Sequence, residues 1–365
     1  MSYHGTFFCA DNKDTSQTLE MSSKVRPDDP EVTGSGPSLG DYSVLIKKYN
    51  RLKEEIHNVF WKHSIKNDPQ LSSIPPETST PINDKNFEYK LEECLGTGQY
   101  GTVYRAKKEG ATYAVKNVDK KKIRTYQQLI RLATEIEIVR KLDHPNIIVL
   151  HDVINTPTSL LICFSLGDCD VFELTSSNNI PPRSLRIMTE QLMSAVSYLD
   201  RMNVAHRDIK PENIICSYKE DLIRGKIDTN LNRMYIKLVD FGLAVKYSNL
   251  PYIVGTSYKL REFCGSPGFF APELLKNKGY NNRADWWSTG CVVLEFVIKN
   301  EKFSQNWMTL YTPQNIKNYE VFMENMSLRL PRIKQLIEKD PLRDDYLVGI
   351  VNSTLAIEPD SRSLY

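Results

Sequence analysis

Between residues 206 and 242 the chain sets an acid, a lysine and an amide on one short loop and adds a second acid just beyond an apolar segment. The loop reads His206-Arg207-Asp208-Ile209-Lys210-Pro211-Glu212-Asn213, and Asp240-Phe241-Gly242 follows downstream. Any fold for this chain has to bring those groups together. The combination suits phosphoryl transfer: one Asp orients a hydroxyl and accepts its proton, the Lys faces the travelling phosphate, and Asn with the second Asp holds magnesium. His-Arg-Asp alone is an ordinary surface charge cluster. The whole run with Asp-Phe-Gly behind it leaves coincidence negligible.

Upstream lies Leu95-Gly96-Thr97-Gly98-Gln99-Tyr100-Gly101-Thr102-Val103, a G-x-G-x-x-G-x-V pattern. Its glycines allow backbone N–H groups close to phosphates, where a Cβ would obstruct them. Taken alone, such a loop could equally be a structural turn or the start of a dinucleotide-binding fold. The residues after it, Val103, Tyr104 and Ala106, continue as a strand rather than opening a helix, which disfavours the dinucleotide reading. Tyr113-Ala114-Val115-Lys116 then follows an alternating apolar strand.

Taken together, these motifs resemble the catalytic core of eukaryotic protein kinases of the Ser/Thr type. The resemblance implies an α+β, bilobal fold with a small β-rich N-lobe and a larger, mostly helical C-lobe. It implies ATP and Mg²⁺, with the glycine loop over the phosphates, Lys116 on the α/β-phosphates, and Asn213 and Asp240 on the metal. Asp208 would be the base and Lys210 the charge stabiliser. Lys116 needs an anion to hold it. The segment Leu129–Val139 has helical periodicity and runs into Leu142-Asp143-His144-Pro145-Asn146-Ile147-Ile148, which resembles the family's turn after its main N-lobe helix. Measured back from that turn, Glu135 takes the pairing position and Glu137 another face, with a solvated glutamate as the alternative for either.

Further landmarks match. Ala271-Pro272-Glu273 resembles the end of the activation segment, and Asp285-Trp286-Trp287-Ser288-Thr289-Gly290 the start of the buried C-lobe helix. Leu355-Ala356-Ile357-Glu358-Pro359-Asp360-Ser361-Arg362 resembles the segment whose Arg pairs with Glu273. The resemblance spans residues 87–365, about three quarters of the chain and a usual length for a two-lobed domain. The chain stops three residues past Arg362, so a short or missing last helix is expected.

Lys210 two residues after Asp208, and Ser266 in Cys264-Gly265-Ser266-Pro267-Gly268-Phe269-Phe270, are the family's marks of Ser/Thr acceptors; Ser266 would bridge Asp208 and Lys210. The stretch through Leu275 looks most like calmodulin-dependent and related kinases. Leu161-Ile162-Cys163-Phe164-Ser165-Leu166-Gly167-Asp168-Cys169-Asp170 aligns with the strand and linker that hold adenine, which places Cys163 as a small gatekeeper. Asp170 and Glu212 align with acids that receive arginines ahead of the phosphoacceptor in basophilic relatives, while Phe263, Pro267 and Phe270 would wall an apolar pocket after it. Plain surface acids are the alternative. Glu262 stands where relatives often carry a phosphorylatable Thr, and a carboxylate there could pair with Arg207. The alternative is a solvated Glu262 with Ser248, Thr256 or Ser257 as the phosphosite. Two insertions are evident, Ser217 to Met234 and between Gly242 and Phe263.

The rival function is a pseudokinase-type scaffold acting by docking. Such proteins usually lack Lys116, Asp208, Asn213 or Asp240 equivalents, and here all are present. Composition narrows the field. With 365 residues and 41% hydrophobic content there is material for a large core, and a formal net charge of +2 argues against a nucleic-acid or membrane-surface role. The strongest apolar run, Cys291–Ile298, is short and carries Glu295. The start lacks the marks of a secretory signal or transit peptide. Seven cysteines without C-x-x-C pairs suit free thiols, hence a cytoplasmic or nuclear expectation.

Outside the resemblance, residues 1–40 are polar, with Gly34-Ser35-Gly36-Pro37, and read as a disordered tail. In 41–67, Tyr42, Leu45, Tyr49, Leu52, Ile56 and Val59 recur at three- and four-residue steps, an amphipathic helix. It could pack on the chain's own lobe or dock a partner. Residues 68–86, with Pro69, Pro75, Pro76 and Pro81, form a linker.

Overall fold

The computed structural model describes residues 88–98, 101–123, 126–156, 158–177, 180–218, 234–246, 260, 262–276, 279–341 and 343–364. The expected tail (1–40), amphipathic helix (41–67) and linker (68–86) lie outside the described residues. So do Gln99 and Tyr100 of the glycine loop, residues 219–233 of the first insertion, and Ser248, Thr256 and Ser257 of the second.

The N-terminal part is a meander of three strands, β1 (Lys90–Thr97), β2 (Gly101–Lys108) and β3 (Ala111–Asp119). The β2–β3 hairpin turns through Glu109 and Gly110, both at positive φ. Two further strands, β4 (Leu150–Asn155) and β5 (Ser159–Ser165), complete an antiparallel sheet in the order β1-β2-β3-β5-β4. Gly101 is required by packing: a Cβ there would stand 1.8 Å from the Asn117 carbonyl oxygen, inside any van der Waals contact.

Between β3 and β4 the chain crosses the sheet as α1 (Tyr126–Lys141). Leu129 and Leu132 on this helix are buried against Val118, Leu160 and Ile162 of the sheet. Their spacing puts them on one stripe, so the helix is held by its apolar face. Glu135 falls on that face three residues after Leu132 and is buried. Glu137 lies on the solvent side and pairs with Lys141 one turn on.

The rest of the chain is mainly helical. A short strand β6 (Cys169–Asp170) leads into α2 (Val171–Ser177) and α3 (Pro182–Arg201). Helix α3 buries Met188, Leu192, Ala195, Val196 and Leu199, again at three- and four-residue steps. Then come β7 (Val204–Ala205), β8 (Ile214–Tyr218), β9 (Met234–Leu238) and β10 (Val245–Lys246). They form a β6-β8-β9 sheet and a β7-β10 pair, and the first insertion joins β8 to β9.

Helix α4 (Arg283–Asn306) runs through the core, with Trp287 and Cys291 to Leu294 inaccessible to solvent, and its backbone leaves the helical region at Lys299. A Cβ on Gly290 would meet Thr354 Oγ1 at 2.3 Å, so glycine lets α4 pack against the C-terminal helix. Helices α5 (Pro313–Ile316), α6 (Tyr319–Glu338) and α7 (Asp345–Thr354) complete the layer. A 3₁₀ turn at Pro359–Ser361 then brings in Arg362, and no helix follows it among the described residues. This is the α+β, two-lobed arrangement expected from the motifs. No helix among the described residues is long and apolar enough to cross a membrane, and the six described cysteines are free thiols.

Candidate active site

The loop between β7 and β8 is held from below by the core. Asp285, buried at the start of α4, accepts hydrogen bonds from the peptide N–H groups of His206 (2.7 Å) and Arg207 (2.8 Å). Burial pushes its carboxyl up, while these N–H groups and the Arg207 guanidinium pull it back. His206 lies fully buried, its ring edge-on to Phe241 with centroids 4.7 Å apart. Its Nε2 faces the Val239 carbonyl oxygen at 3.0 Å and its Nδ1 the Asp208 N–H at 3.3 Å, which selects the Nε2-protonated tautomer. Arg207 and Asp240 both adopt left-handed backbone conformations, φ 70° and 60°. Non-glycine residues hold that region only when their surroundings over-determine it.

On this platform the side chains converge. Asp208 Oδ1 accepts from the Ser266 hydroxyl at 2.8 Å and Oδ2 from Asn213 Nδ2 at 3.0 Å. Asn213 also donates to the Asp208 carbonyl (2.8 Å), which leaves its own side-chain oxygen for other partners. Lys210 Nζ donates to Ser266 Oγ at 2.8 Å and lies 3.4 Å from Asp208 Oδ2. Ser266 thus bridges the acid and the lysine, in the arrangement the motif implied.

Across the cleft, Lys116 Nζ donates to Glu135 Oε1 and Oε2 at 2.7 and 3.0 Å. Burial pushes the Glu135 carboxyl up, Lys116 pulls it back, and the nearby Asp240 raises it. Gly242 lies between: a Cβ there would be 3.1 Å from Asp240 Oδ1 and 3.7 Å from Glu135 Oε2. Asp240 is exposed at the mouth, its Oδ1 accepting from the Gly242 N–H at 3.3 Å. In the glycine loop, Leu95, Gly96 and Thr97 end β1 while Gly101, Thr102 and Val103 open β2, with Gly98 N–H bonded to the Gly101 carbonyl at 2.8 Å. A Cβ on Gly96 would meet nothing within 4 Å, and one on Gly98 only the Gly101 oxygen at 3.9 Å, so the space beside the loop is open.

The segment from Glu262 to Glu273 is tied down along its length. Ser288 Oγ donates to the Phe269 carbonyl (2.8 Å), Trp307 Nε1 to that of Gly268 (2.7 Å), and Tyr311 to that of Phe270 (3.2 Å). Glu273 and Arg362 form a buried two-pronged pair at 2.6 and 2.7 Å, the pairing expected from the terminal motif. Glu262 meets Arg207, as anticipated, with 3.1 Å between Oε2 and Nη2. It also meets Arg131 on α1.

One expectation is corrected. Cys163 does not stand at the gatekeeper position. In the β3–β5 register Lys116 faces Ile162 and Ala114 faces Phe164, whereas Cys163 pairs with Val115. Opposed residues share a face and successive residues alternate. Cys163 is therefore packed on the outer face with Tyr89, Leu91, Ala106 and Val115, where burial pushes its thiol up to about 12. Phe164 packs on the α1 side, next to the cluster beneath Lys116. A one-residue slip in aligning the hinge moved the assignment across the sheet.

The acids named for peptide recognition are partly committed. Asp170 Oδ1 caps α2 by accepting from the Glu173 N–H at 2.7 Å. Glu212 is exposed and within electrostatic range of Asp170 and Asp208. Also within electrostatic range of it is Glu295 of α4, which sequence reasoning passed over as one charge in an apolar run. Glu295 is buried, and burial together with the Glu212 carboxylate pushes its own carboxyl up to about 8. The signal was present: a carboxylate inside Cys291–Ile298 is costly to bury and calls for a reason. Arg131 also escaped notice, since one arginine on a helix carries no motif.

The comparisons with known proteins agree with this geometry. A family model described as protein kinase domain matches residues 89–364. A probable serine/threonine-protein kinase of Dictyostelium discoideum (fhkD) is 29% identical over 75% of this chain and 37% of its own length. The serine/threonine-protein kinase cds1 of Schizosaccharomyces pombe is 28% identical over 77% of this chain and 57% of its own. Myosin light chain kinase A of Dictyostelium discoideum is 30% identical over 56% of this chain and 64% of its own. The matches thus span less than two thirds of these relatives' lengths. With three quarters of its length inside the family model, the chain belongs to the protein kinase domain family.

Proposed function

We propose that this chain is an ATP-dependent serine/threonine protein kinase that transfers the γ-phosphate to Ser or Thr hydroxyls of protein substrates. The observation that carries the reading is the Asp208 carboxylate, held by Ser266 and Asn213 with the Lys210 ammonium beside it. With Oδ1 and Oδ2 each steered by a donor, the carboxylate is pre-set to orient a substrate hydroxyl and accept its proton. Lys210, shared between Ser266 and Asp208, is placed to stabilise charge on the transferred group. Lys116, fixed by Glu135, would hold the α- and β-phosphates, with the glycine loop offering backbone N–H groups from Leu95 to Val103.

The residues fit a nucleotide with Mg²⁺. The open space at Gly96 and Gly98 is a cradle that side chains would fill. The oxygen donors are Asp240 and the side-chain oxygen of Asn213, and Mg²⁺ uses one or two protein oxygens together with phosphates and water rather than a closed cage. When bound, the ion offsets phosphate charge. A docking scaffold draws no support from a site in which Lys116, Asp208, Asn213 and Asp240 are all present. The test is ATP turnover on a Ser/Thr peptide by wild type and Asp208→Asn. Turnover by wild type alone supports the reading, and equal rates overturn it.

The substrate preference proposed is for arginine ahead of the acceptor and an apolar residue after it. Asp170 and Glu212 offer carboxylates to guanidinium groups, and the buried Glu295 lies within electrostatic range of Glu212. Phe263, exposed and edge-on to Phe270 at 5.2 Å, offers the apolar wall. Equal rates on Arg-bearing and Arg-free peptides at low salt would discard the preference.

A further inference from the structure

Glu262 divides its two carboxylate oxygens between separate parts of the molecule. Oε1 meets Arg131 Nη2 on α1, and Oε2 lies 3.1 Å from Arg207 Nη2 on the catalytic loop. Arg131 stands one helical turn before Glu135, on the same side of α1. The helix is therefore tied twice, one turn apart: Glu135 to Lys116 on the sheet, and Arg131 to Glu262. A helix tied at one point can swing about it. Two ties one turn apart oppose both rotation and translation.

The other end of the bridge is buried. Arg207, 8% exposed at its side chain, donates through Nε to the Leu243 carbonyl at 2.6 Å and through Nη1 to Tyr280 Oη at 3.4 Å. A guanidinium stays charged at any ordinary pH, and burying one without an anion is strongly unfavourable. Cys264 and Tyr280 also face it, but burial pushes both the thiol and the phenol up, so they remain neutral near pH 7. Asp285 accepts from the Arg207 backbone N–H. Glu262 brings its carboxylate directly to the Arg207 head group. Its own backbone is held too, its carbonyl accepting from the Tyr280 hydroxyl at 2.8 Å. Three residues on, a Cβ at Gly265 would stand 2.8 Å from the Arg207 carbonyl oxygen, so the segment lies directly on the loop.

We infer that Glu262 and Arg131 are positioning residues: the Arg131–Glu262–Arg207 bridge couples the placement of α1, and through it Lys116, to the catalytic loop. The active arrangement is thereby held by a carboxylate of the chain itself, without a covalently added charge. The inference rests on the proposed kinase activity only for its kinetic arm.

The experiment uses the full chain as wild type, Glu262→Ala, Arg131→Ala and the double variant, all phosphatase-treated. Peptide kcat, the KM for ATP and backbone hydrogen exchange of α1 are measured. Treated wild type keeps its rate. Arg131→Ala raises the ATP KM with a smaller effect on kcat, while Glu262→Ala raises the KM and also lowers kcat by about tenfold. Because the two share one bridge, the double variant is no worse than Glu262→Ala. Both single variants speed exchange in α1, Glu262→Asp restores part of the protection, and this readout holds even if no turnover is detected. An inactive wild type with exchange coupled in this way would sink the kinase reading and keep the bridge. Additive losses, unchanged α1 exchange, or an active wild type that phosphatase silences would overturn the bridge.

Discussion

Lys116 Nζ lies 2.7 and 3.0 Å from the two carboxylate oxygens of Glu135, joining strand β3 to helix α1 across nineteen positions of sequence. Glu135 is 4% exposed, so the pair is held mostly out of water, where a charge-assisted hydrogen bond keeps its strength. Glu135→Gln keeps the shape and removes the charge, and should raise the KM for ATP by about tenfold. Glu137→Gln, on the solvent side of α1, should match wild type. Steady-state kinetics with ATP varied checks both.

Asp240→Asn should lower turnover by at least about a hundredfold even at saturating Mg²⁺, because an amide is a poor substitute for a carboxylate on this hard cation. Titrating Mg²⁺ against rate checks it. Near-normal activity would remove Asp240 from the site.

The β3–β5 register makes a prediction that separates two neighbouring residues. Phe164→Ala removes a large side chain on the face that carries Lys116 and should admit an ATP analogue enlarged at the adenine amino group. Cys163→Ala, on the opposite face, should not. Inhibition of ATP turnover by such an analogue distinguishes the variants.

Glu295 gives a pH dependence with a defined sign. Its folded pKa of about 8 lies above its ordinary 4.5, so the folded state binds the extra proton between those values. Its contribution to stability is full below about 4.5 and is lost as pH rises through about 8, at up to roughly 1.4 kcal/mol per pH unit. Glu295→Gln should therefore gain on wild type as pH rises from 5 to 8.5. Urea unfolding of both proteins at several pH values measures this. A constant difference would contradict it.

Arg362 is buried and bidentate on Glu273, with its guanidinium 5.0 Å from the Trp287 ring centroid. Arg362→Ala strands a buried carboxylate and should cost about 3–5 kcal/mol of stability. Arg362→Lys loses the two-pronged geometry and should fall between. Denaturant melts at neutral pH give the values.

Contiguous motifs carried most of the site into the sequence. The loop from His206 to Asn213, Asp240-Phe241-Gly242 and the glycine loop could be recognised because each is local: the chemistry needs particular residues at fixed spacing on one turn of chain. The periodicity of 129–139 likewise identified α1, since the residues of a helix face follow from 3.6 residues per turn, and the resemblance of the turn after it placed Glu135 at the pairing position. What remained hidden depended on how distant segments pack. Whether Cys163 or Phe164 lies on the Lys116 face of the sheet rests on strand register, and a shift of one residue reverses every side chain on a strand. Glu295 comes within electrostatic range of Glu212, and Arg131 meets Glu262, only once α4 and α1 are seated against the loops, 83 and 131 residues away in sequence. Spacing along the chain encodes local geometry, but the pairing of distant charges is decided by the packing of the core that brings them together.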